Sequence, residues 1–82
     1  MDAKRVRDIL EGTDTPETTG EELCLFAFEN GKTGVLLREV VVAVDEEFNK
    51  ANLYEMEMLL VGYMMGQSIY HALQTAASTT TH

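Results

Sequence analysis

The sequence predicts an all-α fold: a small four-helix domain with a long central C-terminal helix. Three observations carry the prediction. On a helical wheel, residues 53–75 are apolar over about three quarters of the circumference. Leu36, Leu37, Val40, Val41, Val44 and Phe48 recur at i, i+3/i+4 spacing and form one helical stripe. Helix-end signals divide the chain into four pieces: Asp2 with Gly12, Thr19 with Glu22, and Asn52 with Glu55. The alternative is an α+β fold in which residues 23–38 form a β-hairpin laid on the long helix.

Residues 2–11 read as a short helix with Asp2 as N-cap and Gly12 as the left-handed residue after its end. Ala3, Val6, Ile9 and Leu10 share one face. Lys4, Arg5 and Arg7 stand near its start, where the helix dipole disfavours cations. That conflict is read as a frayed end, the other reading being a site that meets an acidic group. Residues 12–18 form a polar loop around Pro16.

The run Leu23-Cys24-Leu25-Phe26-Ala27-Phe28 is apolar at every position, so periodicity cannot distinguish strand from helix. A capping box of Thr19 and Glu22, closed by Asn30-Gly31, supports a helix over 19–31. The same Asn30-Gly31 supports a type I′ hairpin pairing 23–29 with 32–38. A two-stranded sheet alone is marginally stable, and the chain offers no third strand, so the helical reading is adopted. A further helix is expected over 33–48 and a turn over 49–52. Asn52 then caps the long helix, with Glu55 as its box partner. The uninterrupted apolar run in that helix, Met58–Gly66, is far below the ~20 residues a bilayer requires. Residues 1–75 are expected to form one globular domain, and 76–82 a disordered tail.

The composition is that of a globular chain, 45% apolar and 24% charged. The formal charge of −8 lies mostly beyond the first seven residues, where only Lys32, Arg38 and Lys50 oppose the carboxylates. Such a surface repels phosphate backbones and anionic membranes, so direct nucleic-acid and membrane partners are not expected. Cys24 is the single cysteine, which excludes an internal disulfide. With no secretory signal read at the start, a cytoplasmic location is expected.

No cofactor or metal site is expected. Cys24, His71 and His82 are too few and too badly spaced for zinc. Glu57 and Ser68, the flanks of a would-be trio with His71, lie ~16 Å apart along a helix, which is too far for nucleophilic catalysis. Cys24 sits among apolar residues, where a thiol is inert. Gly31-Lys32-Thr33-Gly34 lacks the earlier glycine of a phosphate loop, since Phe26 stands there. An enzyme is therefore not expected.

Two interaction surfaces are candidates. Glu21, Glu22, Asp45, Glu46 and Glu47 could dock on a basic partner surface. Leu59, Gly62, Gly66, Ile69 and Leu73 share one face of the long helix, and the small-xxx-small pair Gly62/Gly66 could form a homodimer seam; close packing against the 33–48 helix is the other use of that pair. The expected function is that of a small acidic interaction protein, an inhibitor or adaptor. Small phage-encoded anti-defence inhibitors share this size and charge, an analogy of class only. The alternative is a structural or regulatory homo-oligomer assembled through the long helix.

Overall fold

The computed structural model describes residues 2–48 and 52–80. Four helices account for it: α1 (Ala3–Glu11), α2 (Thr19–Lys32), α3 (Leu37–Glu47) and α4 (Leu53–Thr80). No strand occurs among the described residues, so the 23–38 hairpin is not formed. The turn expected over 49–52 lies outside the described residues except for Asn52.

Local chemistry sets each helix end. The Asp2 carboxylate accepts a hydrogen bond from the Lys4 amide at 3.0 Å. Past the other end of α1, Gly12 takes φ +86°, and the Thr13 and Gly12 amides return to the Asp8 and Ile9 carbonyls. α2 is capped one residue earlier than expected, by Thr18, whose hydroxyl accepts from the Glu21 amide. Thr18-x-x-Glu21 satisfies the same pattern as Thr19-x-x-Glu22, and the structure uses the first. The Glu21 carboxylate also accepts from the Glu17 amide at 2.8 Å. The box that starts α4 forms as expected, Asn52 and Glu55 each accepting from the other's amide.

Asn30-Gly31 does not end α2. The helix runs to Lys32, and the left-handed residue is Gly34, at φ +79°. The Gly34 and Val35 amides donate to the Gly31 and Asn30 carbonyls and close the helix. This glycine is also why α3 starts at Leu37 rather than at 33. At the far end, α4 continues through Ala76 and Ala77 to Thr80, so the expected tail is helical over 76–80. Alanine is the strongest helix former, and no glycine or proline interrupts. Residues 81–82 lie outside the described residues.

Two apolar clusters hold the helices together. Val6 and Leu10 of α1 meet Cys24 and Phe28 of α2 and Met58 of α4. Leu23 and Ala27 of α2 meet Val40 and Val44 of α3 and Leu59 of α4. Adjacent α4 residues thus serve both clusters, and α2, with two buried residues in each, touches all three other helices. α2 and α4 run parallel: Gly20 faces Tyr54, Glu55 and Met58, while Gly31 faces Tyr63, Gly66 and Gln67. α3 is the return connection that makes the parallel pairing possible.

Candidate functional surface

The α2–α4 contact decides which side of the long helix is available. A Cβ on Gly62 would collide with the Cys24 backbone, standing 2.8 Å from its carbonyl carbon and against its oxygen. A Cβ on Gly66 would stand 2.9 Å from both the Gly31 Cα and the Lys32 amide nitrogen. The two helices therefore approach backbone to backbone, which only glycine permits. Polar ties extend the seam: the Tyr63 hydroxyl donates to the Val35 carbonyl at 3.0 Å, and the Gln67 amide donates to the Gly31 carbonyl at 3.2 Å.

The Gly62/Gly66 pair is accordingly filled from within the chain, and by α2, not by the 33–48 helix. Of the five candidate seam residues, Leu59, Gly62 and Gly66 are buried against α2 and closed to any partner. Ile69 and Leu73 continue the same face but remain exposed, Leu73 at 61%. Every residue from His71 to Ala77 is exposed. The helix outruns the body that covers its first half.

The opposite side of α4 is the free one. Met64 lies two residues from each glycine, some 200° around the helix, and points directly away from α2. Leu53, Leu60, Val61 and Met64 are exposed on this side, Leu53 at 78% and Met64 at 68%. Glu57, Ser68 and His71 are interleaved with them. Between Met58 and Thr80 no residue carries a formal charge at neutral histidine. At the border with α1, Ala3, Val6, Val61 and Met65 line a shallow apolar groove.

The acidic candidates separate. Arg5 donates from Nε and Nη2 to the two carboxylate oxygens of Glu21, at 2.9 and 3.1 Å, and from Nη1 to Asp14. It also donates to the Thr15 carbonyl. The arginine near the start of α1 is thus no frayed end: it clamps the 12–18 loop and the start of α2. The guanidinium first, and then the Glu17 amide, hold the Glu21 carboxyl down at about 2. Glu21 is therefore engaged internally, whereas Glu22, Asp45, Glu46 and Glu47 are exposed and form no ion pair among the described residues. Arg5 was legible as an anomaly, a cation at the wrong end of a helix, but its partners were not.

The remaining groups offer no assembled chemistry. Cys24 is buried, and burial, then the Glu21 charge, push its thiol pKa up. Glu57, Ser68 and His71 share the exposed side of one helix, with Glu57 and Ser68 three turns apart. No group of three histidine, cysteine, aspartate or glutamate side chains among the described residues could hold a metal ion. No helix among them is long and apolar enough to cross a membrane. Comparison with protein-family models, curated proteins and solved structures finds no match.

Proposed function

We propose that the chain is a non-catalytic protein-interaction module whose contact surface is the outer side of α4. One observation carries the reading: Leu53, Leu60, Val61 and Met64 stand exposed together on the side of α4 turned away from α2. Single exposed apolar residues are common, but a group of them on one rigid element is the usual mark of a binding face. Methionine suits such a face because its flexible thioether adapts to a partner. A cytoplasmic setting belongs to the same reading, supported by the free thiol of Cys24.

The test is the double variant Leu60→Lys/Met64→Lys. Both side chains point away from the core, so the variant is expected to keep the wild-type helical circular dichroism and unfolding midpoint. It is expected to lose association, with itself or with another protein, by at least tenfold in a titration. Unchanged association in the folded variant removes the reading.

A second reading, an inhibitor or adaptor docking through its acidic surface, is favoured by the exposure of Glu22, Asp45, Glu46 and Glu47. Binding through them would weaken steeply with salt and with Asp45→Lys/Glu46→Lys, and would ignore Leu60→Lys/Met64→Lys.

A further inference from the structure

The occupant of the outer face follows from the order of groups along it. Glu57, Met64 and His71 are seven residues apart, two helical turns each, so they lie nearly in line with only ~20° of drift per step. All three are exposed. Met64 is the midpoint, and the ends carry an acceptor on one side and a donor on the other. An imidazole presents an N–H in either protonation state, and a carboxylate accepts it.

From this juxtaposition we propose that the outer face of α4 binds a second copy of the chain, antiparallel, with the two-fold axis at Met64. Each Glu57 then meets the partner's His71, twice over by symmetry. The rest of the contact is Leu60, Val61, Met64 and Ser68, without formal charge. A parallel pair would instead set Glu57 against Glu57, and repulsion disfavours it. In the antiparallel pair each acidic body stays on the far side of its own α4, so a chain of charge −8 can self-associate through its neutral layer. The proposal rests on the outer face being the contact surface. A helix pair about 21 Å long between its Glu57 and His71 ends belongs with the small interfaces, so the dimer is reversible and concentration-dependent.

Sedimentation velocity from micromolar to millimolar chain tests this. Wild type is expected to pass from monomer to dimer. His71→Glu places carboxylate against carboxylate at two symmetric points and is expected to weaken the dimer about tenfold, roughly threefold at each point. The swap Glu57→His/His71→Glu recreates both pairs and is expected to restore wild-type association. A wild type that stays monomeric at millimolar concentration overturns the dimer, even where α4 captures another protein. A His71→Glu variant that dimerises like wild type, or a swap that fails to rescue, overturns the register. If either happens while Leu60→Lys/Met64→Lys still abolishes association, the outer face stands and only this arrangement on it is lost.

Discussion

The carbonyl oxygen of Cys24 occupies the place that a Cβ on Gly62 would need. Gly→Ala in a helix interior ordinarily stabilises by about 0.5–1 kcal/mol. Here the sign reverses, because the obstruction is backbone and cannot rotate away. Gly62→Ala is expected to destabilise by about 3 kcal/mol or more. Gly12→Ala meets open space but must keep a left-handed φ, and is expected to lose only about 1 kcal/mol. Urea unfolding midpoints of the two variants give the comparison, and equal midpoints would contradict the tight seam.

The Tyr63 hydroxyl reaches the Val35 carbonyl across 28 residues of sequence. Tyr63→Phe keeps the ring and removes only the donor. It is expected to lower stability by about 1 kcal/mol, with no change in helix content by circular dichroism.

Acid should release the Arg5 clamp. The Glu21 carboxyl sits at about 2 in the folded chain, against an ordinary 4.5. In the unfolded chain it takes up a proton first as pH falls. The stabilisation is therefore complete above about pH 4.5, fades below it and is gone near pH 2. Arg5→Met is expected to lower the unfolding midpoint at pH 7 and to flatten its fall between pH 4.5 and 2. A variant with the wild-type acid slope would show that Arg5 does not hold Glu21.

The Cys24 thiol is buried and its deprotonation is opposed. A thiol reagent is expected to modify it only through unfolding, at a rate that rises with urea and plateaus with excess reagent. Fast labelling of the native chain would mean that α2 and α4 separate readily.

Much of this architecture was legible because it rests on local signals. Asp2, Gly12 and the Asn52/Glu55 box are short-range patterns, and the structure uses each as written. Leu23–Phe28 was ambiguous for a physical reason. Cys24 and Phe28 are covered by α1 and α4, Leu23 and Ala27 by α3 and α4, and Leu25 and Phe26 pack against these clusters, so no solvated face printed a period on it. The long-range relations were not legible. Gly62 and Gly66 announced that some backbone approaches, but not whose. Glu21 read as a surface acid because Arg5, sixteen residues away, could be paired with it only in three dimensions. The outer face of α4 was visible as apolar residues. Its being outer depended on which side α2 would take.

The parallel pairing of α2 with α4 also sets a clock. Gly31 and Gln67, which close one end of the seam, stand 36 residues apart. A ribosome adds about 5–20 residues per second, so α2 emerges roughly 2–7 s before the segment that seals it. During that interval Cys24 and Phe28 can meet Val6 and Leu10 of α1 but not Met58, and Gly31 has no backbone to press against. α1 and the Arg5 clamp can fold early, but the nascent chain must wait for its C-terminal third before the core can close.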